Sequence, residues 1–143
     1  MLISKNEITQ ILPHRFPMIM VDELIQHTAT HTQTCFTVEA TNIFVQNGYF
    51  QEAGLIENMA QTAAAGTGYL ALQNNQPAPV GFIAAVQHLE IMALPEIGSK
   101  LQTEITVTNQ VFDFTFVSGT IHLYGSLVAR ADFKIFIPKM PEQ

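Results

Sequence analysis

The pattern of hydrophobic and polar positions divides the chain into strand-like segments on either side of one helical segment. Residues 30–40 alternate between apolar and polar side chains and are rich in threonine, as is typical of a half-buried strand. From residue 80 the chain is strand-like to its end, with a break at residues 94–98. The pattern predicts six strands, over residues 18–27, 30–40, 80–91, 99–111, 112–124 and 126–137.

The segment between the two groups of strands predicts one long helix, over residues 54–71. A helix that is apolar on all sides should be buried, and its small residues allow close packing. A short helix is also predicted near the start, where Ser4 and Glu7 have the spacing of a capping box and Pro13 prevents extension. Together these elements indicate one α+β domain over residues 1–143, in which a curved antiparallel sheet wraps around the helix.

Composition limits the kinds of partner. Hydrophobic residues make up 48% of the chain and charged residues only 13%, so we expect apolar surface to be buried against another subunit. The net charge is −6 and the basic residues form no run, which argues against nucleic-acid binding. No stretch reaches the roughly 18 apolar residues of a membrane span, and no signal peptide is apparent, so we expect a cytoplasmic protein. Cys35, the single cysteine, should be a small core or interface residue.

Glu57 is the most informative candidate for chemistry, because it is a carboxylate inside an apolar, alanine-rich helical run. Burying an acid costs free energy, which favours a chemical role over a structural hydrogen bond at a subunit interface. The residues before the helix predict a loop that brings backbone N–H groups to the helix start. No pair of histidines has the spacing of helical metal ligands, so we expect neither a metal nor another cofactor.

Two motifs carry a resemblance to a known family. Residues 12–22 read LPHRFPMIMVD and residues 55–61 read LIENMAQ. With a weaker match at residues 94–101, they resemble the 3-hydroxyacyl-[acyl carrier protein] dehydratases of type II fatty acid synthesis. The resemblance implies a hotdog fold, a dimer with two shared active sites, and acyl thioester substrates carried on acyl carrier protein or coenzyme A.

The resemblance also implies a catalytic pair, of which this chain has one half. In the family, a histidine in a Gly-His-Phe motif removes the α-proton, the helix glutamate helps the 3-hydroxyl leave as water, and backbone N–H groups hold the thioester carbonyl. Glu57 matches that glutamate. The Gly-His-Phe position reads Gly48-Tyr49-Phe50, and the segment that follows it is shorter than the family's. The chain therefore resembles a branch of the family that lacks the active-site histidine.

The remaining candidates follow from the motif positions. Tyr49 is a poor base near neutral pH, because the pKa of an ordinary tyrosine is about 10, but it can donate a hydrogen bond or act as a packing aromatic. His14 is a weaker candidate for the base, and we expect its ring instead to fix the turn through hydrogen bonds. Gly54 can present its N–H to a thioester carbonyl or permit close packing. The other candidate substrate-binding residues are Gly48, Phe50, Asn58 and Gln61.

Three functions remain open at this point. The chain can be a dehydratase-like enzyme acting on, or binding, 3-hydroxyacyl thioesters in fatty-acid or polyene-lipid biosynthesis. It can instead be a thioesterase that uses Glu57, or a non-catalytic partner subunit in a dehydratase heterodimer. We expect a homodimer or a heterodimer with a related dehydratase. The candidate docking residues for an acidic carrier protein are Arg15, Arg130 and Lys134.

Overall fold

A long helix lies against a six-stranded antiparallel sheet in the computed structural model, which describes residues 1–138. The spatial order of the sheet is β1-β2-β6-β7-β8-β5, and β3 and β4 form a separate small hairpin. This architecture confirms the predicted α+β fold. The elements are a 3₁₀ helix (Lys5–Gln10), β1 (Glu23–His27), β2 (His31–Thr37), β3 (Val45–Gln46), β4 (Tyr49–Phe50), α1 (Glu52–Gln73), β5 (Phe82–Ile91), β6 (Lys100–Val111), β7 (Phe114–Leu123) and β8 (Ser126–Phe136).

The main hydrophobic core lies between α1 and one face of the sheet. Leu55 and Met59 on the helix are fully buried, and alternate residues of the central strands face them. Gly119 lies on β7 where a side chain would collide with Met59, so the helix approaches the sheet closely there. Within residues 1–138, no helix is long and apolar enough to cross a bilayer. The strand residues that form this core include Leu101, Ile105, Val117, Ile121, Ala129, Ala131 and Phe133.

A second, smaller core joins the N-terminal segment to the other end of α1. The short helix here is a 3₁₀ helix, and the predicted capping box is wrong. The Ser4 hydroxyl donates to the Glu7 carboxylate at 2.7 Å, and no side chain caps the backbone. The reason is the tighter 3₁₀ turn, in which the N–H of Glu7 donates to the carbonyl of Ser4 at 2.9 Å. This core consists of Ile3, Ile8, Ile11, Leu12, Val21, Leu24 and Ala65.

The first strand is shorter than the sequence predicts. The prediction that it begins at residue 18 is wrong, because β1 begins at Glu23. The preceding backbone is bonded to side-chain amides of α1. Asn58 Nδ2 donates to the carbonyl of Met20 at 2.7 Å, and the N–H of Met20 donates to Gln61 Oε1 at 2.6 Å. These groups therefore have partners without joining the strand ladder.

The segment leading into α1 is a hairpin and not the predicted loop. Strands β3 and β4 pair through a two-residue turn, in which Asn47 has a φ of 54° and Gly48 a φ of 85°. Asn-Gly is the preferred dipeptide for such a turn because both positions need a positive φ. The other predicted elements are confirmed, with the ends of the long helix and of the four C-terminal strands within two residues of the expected positions.

We predict that Gly68→Ala destabilises the chain, because the new Cβ would overlap the backbone carbonyl oxygen of Ile11. Overpacking of this kind usually lowers the free energy of unfolding by about 1–3 kcal/mol. An ordinary glycine-to-alanine change inside a helix stabilises by roughly 1 kcal/mol, so the sign of the effect is diagnostic. Urea unfolding of the two proteins measures it, and an unchanged or higher midpoint for Gly68→Ala would contradict the close approach.

We also predict that Asn58→Leu is destabilising despite the apolar surroundings. The substitution leaves the carbonyl of Met20 and the hydroxyl of Thr103, which donates to Asn58 Oδ1 at 2.5 Å, buried without partners. Each unsatisfied group costs about 1–3 kcal/mol. Thr103→Val is the matched comparison, because it leaves only Asn58 Oδ1 unpaired and should lose less stability. Equal or greater stability of Asn58→Leu in urea unfolding would argue against the network.

Candidate active site

Glu57 lies in the second turn of α1 and is half-buried. Gln61, one helical turn later, donates from Nε2 to Glu57 Oε2 at 2.9 Å. The other carboxylate oxygen, Oε1, accepts no hydrogen bond from the described residues. Glu57 is thus held at one oxygen and open at the other, an arrangement in which a carboxyl group can exchange a proton with a bound molecule.

Gln61 and Asn58 connect the two family-like motifs physically. Both side chains are almost fully buried, at 1% and 0% exposure. Gln61 accepts the N–H of Met20 and donates to the carbonyl of Met18 at 2.8 Å, while Asn58 donates to the carbonyl of Met20. The segment after the Pro-His-Arg-Phe-Pro turn is therefore fastened to the helix that carries Glu57. This connection places three of the predicted site residues in one cluster.

Buried threonines extend this polar cluster into the sheet. Thr103 on β6 donates to Asn58, and Thr62 on the helix donates to the carbonyl of Asn58 at 2.8 Å. Thr34 on β2 lies 2.7 Å from the Thr62 hydroxyl. Because each of these buried groups has a partner, the cluster is satisfied and rigid rather than a source of strain.

The first backbone N–H groups of α1 differ in whether they have partners within the described chain. The N–H of Gly54 already donates to the carbonyl of Gln51 at 3.0 Å. A Cβ at Gly54 would lie 2.5 Å from Phe50 Cζ, so close packing accounts for the glycine. The N–H groups of Glu52 and Ala53 precede the first intrahelical bonds and have no partner among the described residues. Gly54 as a thioester donor stays a prediction.

The three residues of the Gly48-Tyr49-Phe50 segment have different structural roles. Gly48 completes the hairpin turn, and its carbonyl accepts the N–H of Ile97 at 3.1 Å. Tyr49 is 43% exposed and forms a β-bridge with Glu96. Phe50 is fully buried, with its ring 5.7 Å from that of Phe36. Contact of these residues with a substrate stays a prediction, and the burial of Phe50 gives it a packing role.

The Pro-His-Arg-Phe-Pro turn is fixed by its arginine and not by its histidine. Arg15 Nη1 donates to the carbonyls of Leu12 at 2.8 Å and His14 at 2.7 Å. The expectation that the His14 ring fixes the turn through hydrogen bonds is not met, because its Nδ1 is buried without a partner in the described chain. No hydrogen bond joins His14 to Glu57. Arg15 is exposed, and its part in docking a carrier protein stays a prediction.

Cys35, Arg130 and Lys134 have interactions of their own. Burial raises the pKa of the Cys35 thiol to about 12, and the neighbouring Glu23 adds to this rise, so the thiol is protonated at neutral pH. Arg130 pairs with Glu90 at 2.6 Å, and Lys134 Nζ lies 4.3 Å above the centre of the Phe114 ring. Among residues 1–138, no three histidine, cysteine, aspartate or glutamate side chains come together as metal ligands.

Comparison with known proteins identifies the family to which the chain belongs. The family model of ApeP-like proteins, described as ApeP dehydratase, matches residues 6–143. A 3-hydroxyacyl-[acyl-carrier-protein] dehydratase FabZ of Pseudothermotoga lettingae is 27% identical, over 94% of this chain and 96% of its own length. A FabZ dehydratase of Helicobacter pylori is 29% identical, over 92% of this chain and 89% of its own length.

Solved structures show the same fold. A chain of the dehydratase heterocomplex ApeI:P from Xenorhabdus doucetiae superposes with a TM-score of 0.85 at 20% identity, covering 92% of this chain and 91% of that one. A hypothetical thioesterase from Streptococcus pneumoniae, solved with coenzyme A, has a TM-score of 0.68 at 13% identity, covering 84% and 88%. The predicted hotdog fold and the dehydratase resemblance are confirmed, and the chain belongs to the ApeP-like family of dehydratases.

Proposed function

We propose that this chain is the subunit without an active-site histidine in a dehydratase heterodimer that removes water from 3-hydroxyacyl thioesters on acyl carrier protein. The observation that carries the proposal is the half-complete site. Glu57 is held by Gln61 with one oxygen free, while the position of the family's histidine is occupied by the exposed Tyr49. The substrate class is taken from the FabZ relatives, and the kind of partner from the Xenorhabdus doucetiae heterocomplex.

The reaction needs two proton transfers, and this chain supplies a group for one of them. A base removes a proton from C2 of the acyl chain, and an acid gives a proton to the 3-hydroxyl, so that the C3–O bond breaks and water leaves as the C2–C3 double bond forms. Glu57 suits the second step. Tyr49 does not suit the first, because an ordinary tyrosine is protonated at neutral pH. The position of the family's base holds Tyr49 in place of a histidine, so we assign the base to a partner.

An active site shared between two subunits would supply the missing base. In the dehydratases that this chain resembles, the dimer has two shared active sites. We infer that each site takes its histidine position from one subunit and its glutamate from the other. With a histidine-containing partner, one site then combines the partner's histidine with Glu57, and the other combines Tyr49 with the partner's carboxyl group. Only the first site has both a base and an acid.

The free edge of the sheet is where we place the partner. Strand β5 ends the sheet and has exposed apolar side chains, including Phe82, Ile83 and Val86. The opposite edge is partly covered, because Ile3 forms a β-bridge with Leu24 on β1. An open, apolar edge strand promotes aggregation unless another strand pairs with it. The β5 edge therefore supports pairing with the corresponding strand of a related dehydratase.

The first prediction from this proposal concerns Glu57. In a complex with a dehydratase that retains the Gly-His-Phe motif, Glu57→Gln should lower dehydration of 3-hydroxyacyl carrier protein by about 10²-fold or more, the usual contribution of acid–base catalysis. Mass spectrometry of the carrier protein measures the loss of water directly. Glu52→Gln is the matched control, because Glu52 is an exposed carboxylate in the first turn of the same helix.

Each of the other functions has its own outcome in the same assay. Loss of the whole acyl group from the carrier protein, abolished by Glu57→Gln, would replace the proposal with a thioesterase. Full dehydration by the Glu57→Gln complex would reduce this chain to a non-catalytic subunit. Dehydration by this chain alone, at the rate of the complex, would remove the need for a partner's base.

The second prediction concerns the β5 edge. Val86→Lys should weaken the complex at least about tenfold in Kd, equivalent to about 1.4 kcal/mol, because a lysine on an edge strand opposes strand pairing. Leu72→Lys is the matched control, since Leu72 is similarly exposed, at 40% against 37%, but lies on α1. Isothermal titration calorimetry measures both affinities. Equal weakening by the two variants, or none by Val86→Lys, would place the partner elsewhere.

A further inference from the structure

We propose that Gln61 is a positioning residue for Glu57, which it holds in register with the backbone that follows the Pro-His-Arg-Phe-Pro turn. This inference rests on the proposed function, in which Glu57 meets the thioester substrate. It gives the first family-like motif, residues 12–22, a role in the site that does not require His14. The segment after the turn supplies the N–H of Met20 and the carbonyl of Met18, which bond to the Gln61 amide. The same amide bonds to the Glu57 carboxylate.

The hydrogen bonds of Gln61 allow only one orientation of its amide. The N–H of Met20 points at one end of the amide at 2.6 Å, so that end must be the acceptor, Oε1. The NH₂ group then has two N–H donors, one for the carbonyl of Met18 at 2.8 Å and one for Glu57 Oε2 at 2.9 Å. A flipped amide would oppose donor to donor and acceptor to acceptor in all three contacts. In this orientation, the Gln61 amide always presents an N–H donor to Glu57.

The backbone to which Gln61 is hydrogen-bonded is itself held by other hydrogen bonds. The N–H of Met18 donates to the carbonyl of Arg15 at 2.9 Å, and the carbonyl of Met20 accepts from Asn58, which in turn is bonded to Thr103. Gln61 and Asn58 are almost fully buried, so water does not compete for these bonds. The position of Glu57 Oε2 is therefore set by a hydrogen bond from a buried amide as well as by the rotamer of the Glu57 side chain.

The consequence is a carboxylate with one fixed oxygen and one open oxygen. Residues four apart share a helix face, so Gln61 reaches Glu57 without distorting the backbone. Without the donor, the Glu57 carboxyl group would rotate among several rotamers, and only some of them would aim Oε1 at the substrate. A displacement of about 1 Å at a reacting group can cost roughly 10²-fold in rate. Gln61 therefore acts through Glu57 and does not itself contact the substrate.

The test compares Gln61→Met with Gln73→Met. Methionine has nearly the shape of glutamine but neither donates nor accepts strongly, and Gln73 is an exposed glutamine on the same helix. In the complex with a histidine-containing dehydratase, Gln61→Met should lower kcat about 10- to 100-fold and leave KM within about twofold, while Gln73→Met changes neither. A purely structural Gln61 would lower the yield of folded protein but leave kcat per active complex unchanged, and that result would overturn the inference.

A measurement that needs no activity separates this inference from the proposed function. In the wild-type fold, removal of the carboxylate by Glu57→Ala should shift one of the two Gln61 side-chain amide proton resonances strongly and leave the other, bonded to Met18, in place. If neither proton moves, the link between Gln61 and Glu57 is absent and the inference fails. If one proton moves but Glu57→Gln leaves dehydration unchanged, the proposed function fails while the link stands. This measurement also holds should Gln61→Met not fold.

Discussion

Two buried side-chain amides on the long helix determine how the rest of the site is assembled. Asn58 and Gln61 bond to backbone groups of Met18 and Met20 that would otherwise need a neighbouring strand. Because unpaired buried backbone groups are costly, the position of this segment relative to the helix is fixed to within the tolerance of a hydrogen bond. A second contact, of Gly68 with the carbonyl of Ile11, locks the same N-terminal segment further along the helix. Glu57 lies on the helix held by these two contacts.

Most of the regular structure follows from the sequence, and each exception has a physical cause. Alternating strands and one long apolar helix leave few ways to bury the chain's apolar surface, which explains why those elements were predictable. The start of β1 was not, because the partner of Met20 is a side chain 41 positions away, and a local pattern carries no information about it. Ser4 and Glu7 are a different case: their spacing fits a capping box, but the segment forms a 3₁₀ turn and the two side chains bond to each other.

The candidate site was partly predictable for similar reasons. Glu57, Asn58 and Gln61 stand in one motif, so the resemblance identified them together. The role of Phe50 was not predictable, because its burial depends on Phe36 from another strand. The Asn47-Gly48 turn was signalled in the sequence by its dipeptide, and recognising it would have replaced the expected loop with a hairpin. The free N–H groups of Glu52 and Ala53 follow only once the helix start is known.

The arrangement around Glu57 fits the proposal that it is one half of an active site shared between two subunits. A subunit that served only as a scaffold would need no carboxylate held at one oxygen and open at the other. A complete enzyme would need a base beside that acid, and Tyr49 is an exposed tyrosine. In the proposed mechanism, the base therefore comes from outside the chain. Strand β5 is an open edge of the sheet, and in the proposed heterodimer one partner would both pair with this edge and supply the missing base.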